Sequence, residues 1–477
     1  MSSYPGVEYD ELSRSLLCPK GYENPTPEEK YHLAVIGAGP AGLIAAIGAA
    51  GLGAKVALIE ANMMGGDCLN VGCVPSKALL EYTKRNPEGS FADAFTHLRS
   101  VRAGIAPHDS VARYNELGAD VFLGHAKFNG DGTVQVGEQT VRARRYCVAT
   151  GARAAIPPIP GLDQVPYLTN ENLFDLTEQP HSIAILGAGA IGCEMATVFA
   201  RLGTEVHLFE MADRILPLED QRASEPVSES LHALGVHIHV GKAVERVGSV
   251  DEGIVISSGA EISVQHVLVA AGRRANTDNL GLEDVGVKLN TQGLIETDDK
   301  LRTDNKVVYA AGDCASAIQF THYADACARV VVQNALFAPT ASMKGKTVTR
   351  CTYTDPEVAA VERADASEVE TDEYTFPLAD LDRSRAQGDD TGLAIVKTEK
   401  GSDKVVAATI VGSGAGELLA VLAVLASNNL GLSLLGNTLL PYPTRSEFNK
   451  RLADAYNRTR MTPLVERLFK LWLNRTA

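Results

Sequence analysis

The segment Gly65-Gly66-Asp67-Cys68-Leu69-Asn70-Val71-Gly72-Cys73-Val74-Pro75-Ser76-Lys77 places two cysteines four residues apart, among glycines and ahead of an apolar helical pattern. Those residue types at that spacing suit a redox-active pair. A helix starting near Cys73 would turn its positive end toward the sulfur and favour the thiolate. Half of a zinc site is the competing chemistry, and it needs two further Cys or His ligands at short spacing. Cys18, Cys147, Cys193, Cys314, Cys327 and Cys351 are scattered singly. Zinc is therefore disfavoured and no metal ligand set is assigned. The six are expected to be small packing residues, with Cys18 exposed in a polar leader.

Upstream, residues 33–42 (Leu33-Ala34-Val35-Ile36-Gly37-Ala38-Gly39-Pro40-Ala41-Gly42) read as a buried strand, a tight turn and a helix. Gly37 permits the turn, Gly39 lets the backbone approach a pyrophosphate, and Gly42 allows close packing of helix on strand. Glu60 closes the next strand, expected over 55–59, where a carboxylate accepts from ribose hydroxyls. The pattern repeats at Gly187, Gly189 and Gly192, followed by a strand over 205–209 that ends at Glu210. Two such units imply two dinucleotides, a bound flavin and a diffusible nicotinamide, feeding a dithiol. Glu210 would bond the 2′-hydroxyl of NADH and repel the 2′-phosphate of NADPH. Arg214, four residues on, is the cation that would favour NADPH instead. The alternative for Glu210 is a plain strand cap.

With further segments, the chain resembles the pyridine nucleotide–disulfide oxidoreductases (class I), the family of lipoamide dehydrogenase, glutathione reductase and mercuric reductase. Ala149-Thr150-Gly151 resembles the exit from the first unit, and Ala270-Ala271-Gly272-Arg273-Arg274 the exit from the second. Tyr309-Ala310-Ala311-Gly312-Asp313-Cys314, Phe320-Thr321-His322 and Tyr353-Thr354-Asp355-Pro356-Glu357 also fit. The likeness runs from about residue 31 to 475. The wording of Gly312-Asp313-Cys314 and of Pro441-Tyr442-Pro443-Thr444 is similar to the mercuric reductase-like branch.

The resemblance implies an α/β fold with two Rossmann-like dinucleotide-binding domains (glutathione reductase-like) and a C-terminal α/β dimerisation domain. It implies FAD, NADH in preference to NADPH, and a homodimer. Electrons would pass from NADH through FAD to Cys73, the flavin-proximal sulfur, and leave through Cys68. Lys77, one helical turn beyond Cys73, would pair with Glu194 and stabilise negative charge on the reduced flavin. Gly66 would belong with the flavin-binding residues, and Asp313 would hold the ribityl chain. His322 would line the flavin site or serve as a core histidine.

The substrate end departs from the disulfide reductases. They carry a histidine before a proline and threonine, with a glutamate five residues after that histidine, as an acid–base dyad lent by the partner subunit. Here Glu447 is present and Tyr442 replaces the histidine. A phenol, with a reference pKa of about 10, is a poor base at neutral pH. Mercuric reductases share the tyrosine. Their C-terminal cysteine pair has no counterpart after Cys351, nor do the first 30 residues hold a CxxC. The acceptor is left open: a metal ion, a small disulfide, a persulfide or a quinone. A non-enzymatic redox sensor is the third reading.

Composition sets outer bounds. A chain of 477 residues accommodates about three domains. Lys and Arg number 44 against 59 Asp and Glu, for a net charge of −15, which disfavours nucleic acid or an anionic membrane as partner. Eight cysteines do not make a disulfide scaffold, and a working dithiol suits a reducing, cytoplasmic setting. Residues 1–30 read as a leader arm or exposed tail without signal-peptide features. Residues 31–155 and 286–345 are expected to form the FAD domain, 156–285 the NAD(P) domain and 346–477 the dimerisation domain. The run 418–427 is too short to span a bilayer and fits a buried helix. The acidic stretch 362–390 reads as a solvated face with connecting loops.

Overall fold

The computed structural model describes residues 4–250, 253–389 and 391–476. The chain divides into two compact units. One comprises Met1–Ala188, Val198–Met211 and Val236–Lys344; the other comprises Gly189–Thr197, Ala212–Gly235 and Gly345–Ala477.

The first unit contains two parallel sheets. In the first sheet the strand order is Val308–Ala310, Ala143–Val148, Tyr31–Ile36, Val56–Glu60, Ala119–Leu123. Its strands are continuous apolar runs because both faces are covered. Leu33, Val35, Leu58 and Val121 join one core, against helices Pro40–Gly51 and Thr321–Leu336. The alternate residues Ala34, Ile36, Ile59 and Phe122 join a second core on the other face. The second sheet runs His237–Val240, Glu205–Glu210, Ser182–Leu186, His266–Val269. Ala184, Leu186, Phe209, Val267 and Val269 pack under the antiparallel meander formed by 246–250, 253–257 and 261–264. The strand ahead of each acidic residue ends at that residue itself, Glu60 and Glu210.

The second unit has a five-stranded antiparallel sheet ordered Val348–Thr352, Glu357–Glu362, Val405–Gly412, Leu393–Glu399, Thr371–Pro377. Leu422, Leu425, Phe448, Leu452 and Tyr456 pack from its helices onto Ala359, Val361, Tyr374 and Ile410. Within the 418–427 run, helix Ala420–Ser427 buries Leu422, Leu425 and Ala426 but exposes Val421 and Val424. Helix Pro463–Thr476 buries no residue and leaves Leu464, Leu468, Phe469 and Trp472 exposed.

Two expectations are corrected. The start of the chain is not an exposed tail: Val7–Leu17 is a helix packed on helix Phe91–Ile105. Leu17 is fully buried, Asp10 is buried between Arg99 and Arg102, and Cys18 is only half exposed. The polar composition concealed this because the buried face is held by charge pairing. The acidic stretch also carries regular structure, the edge strand Thr371–Pro377 and the helix Asp382–Gln387. Tyr374 supplies the strand's one buried side chain, while its charged neighbours face water, as edge strands require.

Candidate active site

The two glycine turns are built alike. Gly37 has φ +103°, and a Cβ there would lie 2.4 Å from the Ala149 carbonyl oxygen. Gly187 has φ +107°, and its Cβ would lie 2.5 Å from the Ala270 carbonyl oxygen. Only glycine tolerates both the positive φ and the approach. Gly42 packs closer still, since a Cβ would fall 1.8 Å from the Gly37 oxygen. The acidic residues close the turns in the same manner. Glu60 Oε2 accepts the Ala38 N–H at 2.6 Å and its Oε1 accepts from Asn62 at 2.8 Å. Glu210 Oε2 accepts the Ala188 N–H at 2.9 Å. Burial pushes the Glu60 carboxyl above its ordinary pKa, against those backbone bonds.

The residues of the first turn fit a dinucleotide. Gly39 caps helix Pro40–Gly51, with Pro40 at its first position. Gly66, at φ +56°, lies against it: a Cβ there would meet Gly39 Cα at 2.5 Å. That side of the turn is bare backbone beside a helix N-terminus, the arrangement that accepts a pyrophosphate. The two exits are joined, Ala152–Ala154 pairing antiparallel with Arg273–Ala275. Thr150 Oγ1 donates to the Asn276 carbonyl at 2.6 Å, Gly151 accepts from Asn276 N–H at 3.0 Å, and Gly272 accepts from Ala155 N–H at 3.0 Å. Arg273 ion-pairs with Asp67, and its Nε lies 3.7 Å from Asp313 Oδ2. Burial raises the pKa of Asp313, and Arg273 opposes that shift. Gly312 stands beside it at φ +76°.

Cys73 is the first residue of helix Cys73–Arg85, and Cys68 lies in the short helix Gly66–Asn70. Cys73 is exposed and Cys68 half-buried. Cys68 is hydrogen-bonded to Cys73, which together with burial pushes its pKa far up. The Cys73 Sγ lies 3.5 Å from Thr321 Oγ1, and Thr321 opens helix Thr321–Leu336. Two helix N-termini thus meet at the sulfurs, and each favours negative charge there. Lys77 is half-buried one turn beyond Cys73. His322 stacks on Phe320, with ring centroids 5.4 Å apart. Asp109, absent from the sequence reading, adds a negative charge acting on Cys68, and burial lifts its own pKa. Cys147, Cys193, Cys314 and Cys327 are buried packing residues, and burial raises Cys314 and Cys327 to about 11.

In the second unit Glu194 is buried, and its Oε1 accepts the Tyr353 N–H at 3.0 Å. Arg214 donates to the carbonyls of Leu216 and Pro217 and to Ser224 Oγ at 2.9–3.1 Å. Tyr442 is exposed, and its hydroxyl donates to Asp382 Oδ2 at 2.6 Å rather than to Glu447. Asp382 raises the Tyr442 pKa. Glu447 Oε1 accepts from Arg451 at 2.6 Å, and its Oε2 is buried without a hydrogen-bond partner. Thr321, Asp109 and Asp382 carry no spacing signal of their own; only Thr321 lies within a family motif, Phe320-Thr321-His322.

Residues 31–328 match the pyridine nucleotide-disulphide oxidoreductase model and 348–453 match that family's dimerisation domain. The mercuric reductase of Staphylococcus aureus is 32% identical over 452 residues, covering 90% of this chain and 83% of the relative. The dihydrolipoyl dehydrogenase of Halobacterium salinarum is also 32% identical, covering 88% and 96%. Among solved structures, the Cu(II) complex of the HOCl-induced flavoprotein disulfide reductase RclA from Escherichia coli superposes with a TM-score of 0.82 at 28% identity, covering 88% of this chain and 99% of that one. LpdA from Mycobacterium tuberculosis gives 0.80 at 26% identity, covering 89% and 99%. No helix among the described residues is long and apolar enough to cross a membrane. With both of its folded parts matched, the chain belongs to the pyridine nucleotide-disulphide oxidoreductases and is an NAD(P)H-dependent, mercuric reductase-like flavoprotein of that family.

Proposed function

We propose that the protein moves electrons from NADH through a Cys68–Cys73 disulfide/dithiol to a metal ion or another acceptor that needs no proton relay. The observation that carries this reading is the meeting of Cys73, Cys68 and Thr321 at two helix N-termini. A thiolate at Cys73 is stabilised there, while Cys68 keeps its proton until it meets the acceptor. In each cycle the Cys73 thiolate and the Cys68 thiol together give up two electrons, release the single Cys68 proton to solvent and re-form their bond. The acceptor takes both electrons, or two equivalents take one each.

Bound FAD would supply the two-electron relay between NADH and the dithiol. Gly37, Gly39, Gly42 and Gly66 would leave room for its pyrophosphate, Glu60 would accept from its ribose, and Thr150, Gly151, Gly312 and Asp313 would hold the remainder. Gly187, Gly189, Gly192, Gly272 and Arg273 would bind the nicotinamide nucleotide. Glu210 would select NADH, since three N–H donors of Arg214 are engaged by Leu216, Pro217 and Ser224. Lys77 would add positive charge one turn from Cys73.

The domain roles follow as proposed: FAD binding by 31–155 and 286–345, NAD(P) binding by 156–285, and dimerisation by 346–477. We infer a homodimer in which Tyr442 and Glu447 reach the partner subunit's Cys68. Tyr442, holding its proton against Asp382, cannot serve as the base that disulfide exchange uses. A reading as a disulfide, persulfide or quinone reductase keeps one supporting observation, the unpartnered Glu447 Oε2.

The test is NADH consumption against mercury(II), copper(II), quinones, glutathione disulfide and lipoamide. Turnover with a metal ion well above the quinones and both disulfides is expected. Faster turnover of the disulfides would overturn the acceptor class.

A further inference from the structure

Strands Glu205–Glu210 and His237–Val240 run parallel, with His207 opposite His237 and Phe209 opposite His239. Side chains alternate along a strand, so Glu205 and His207 share one face with His237 and His239. One ligand atom from each of Glu205, His207 and His237 lies within 4.8 Å of the others. His207 Nε2 is 3.2 Å from Glu205 Oε1, and its Nδ1 is 3.2 Å from His239 Nε2. The His207 and His237 rings stack with centroids 4.7 Å apart. His239 stacks in turn on Phe209 at 4.5 Å, which anchors the cluster to the core under the meander. The His207 side chain is 10% exposed and that of Glu205 is 60% exposed, so the cluster opens to solvent on one side.

We propose that Glu205, His207 and His237 form a site for a divalent first-row transition ion, separate from the cysteine pair, with His239 orienting His207. Two imidazoles and a carboxylate suit zinc(II), nickel(II) or copper(II) rather than magnesium or calcium. Metal–ligand distances of about 2.0–2.2 Å place neighbouring ligand atoms of a tetrahedral site about 3.4 Å apart. The 3.2 Å between His207 Nε2 and Glu205 Oε1 already matches that span. His237, exposed at the sheet edge, has the freedom to close the remaining distance. Water would take the fourth position. With its Nε2 on the metal, His207 would carry its proton on Nδ1 and donate it to His239 Nε2, 3.2 Å away, the outer hydrogen bond that fixes a ligating imidazole's tautomer and raises its basicity. Cysteine spacing gave no hint of this site; its signal is the His237-Ile238-His239 pair on one strand face, completed only by pairing with a strand some thirty residues earlier.

The probe is zinc(II), titrated calorimetrically into chelator-stripped, oxidised holoenzyme, in which Cys68 and Cys73 are held as a disulfide. One zinc per chain is expected, with a dissociation constant on the order of micromolar, weaker than closed four-ligand sites. His207→Ala should lose binding, and His237→Asn, at an exposed position that leaves the core intact, should weaken it at least tenfold. His239→Ala should cost about 10–100-fold, as loss of an outer partner does. Flavin content and melting temperature verify folding of each variant. Absence of zinc binding in the wild type, or wild-type binding by folded His237→Asn, overturns the site.

Discussion

The Cys73 sulfur and the Thr321 hydroxyl lie 3.5 Å apart, and each opens its own helix, Cys73–Arg85 and Thr321–Leu336. Both helices exceed three turns, so each contributes close to its full terminal partial charge at this point. A hydroxyl donating to a thiolate adds a charge-assisted bond, about 1–2 kcal/mol at this sulfur distance and exposure. Replacing Thr321 with valine keeps the shape and removes the donor. The long-wavelength absorption expected of a Cys73 thiolate beside bound flavin should then titrate about one pH unit higher. An unchanged titration would show that the helix ends alone hold the thiolate.

Glu210, which accepts the Ala188 N–H, is the residue proposed to choose the nicotinamide. NADH should exceed NADPH in kcat/KM by about 1–3 kcal/mol, roughly five- to 150-fold. Glu210→Ala should shrink that ratio, chiefly through KM. A native preference for NADPH would mean that Arg214 leaves its bonds to Leu216, Pro217 and Ser224 to meet a phosphate.

Tyr442 is the residue proposed to set the acceptor class. Its pKa is raised above the ordinary phenol value by Asp382, so the hydroxyl stays protonated through and above neutral pH and donates rather than accepts. Acid–base assistance is typically worth about 10²–10⁴-fold, so glutathione disulfide and lipoamide should turn over poorly. Tyr442→His should raise disulfide turnover and lower metal-ion turnover. Wild-type disulfide turnover at tens per second, ordinary for an enzyme, would defeat this assignment.

Much of this was legible in the sequence because glycine spacing encodes sterics directly. Gly37, Gly42 and Gly187 sit where a Cβ would strike a carbonyl, and an acid closes each turn from the strand that follows. What escaped depends on contacts distant along the chain. Thr321 reaches Cys73 across 248 residues, and Asp382 reaches Tyr442 across 60. The helix Val7–Leu17 looked like a polar tail because its anchor is Asp10, an acid whose two arginine partners lie in the helix Phe91–Ile105.

That anchor gives a stability prediction. Asp10 lies 2.5 Å from Arg102 and 3.2 Å from Arg99, and all three side chains are at least 93% buried. Removing the carboxylate strands two cations, a change that typically costs about 3–5 kcal/mol. Asp10→Ala should therefore lower the denaturant midpoint strongly, while Asp10→Glu recovers part of the loss. A midpoint unchanged in Asp10→Ala would mean that the arginines find other partners.

Assembly is testable by sedimentation. Helix Pro463–Thr476 exposes Leu464, Leu468, Phe469 and Trp472, an apolar face that a lone chain would leave wet. Sedimentation equilibrium should give two chains per particle at micromolar concentration. A fully active monomer there would contradict a site shared between subunits.

The central claim, that NADH reduces the Cys68–Cys73 pair, is tested most directly by anaerobic titration of holoenzyme with one equivalent of NADH per chain, followed by alkylation and peptide mass mapping. The account predicts that Cys68 and Cys73 each become alkylated after NADH and neither before it, with the other six cysteines unchanged. Oxidation of NADH that leaves Cys68 and Cys73 joined and unalkylated would contradict it.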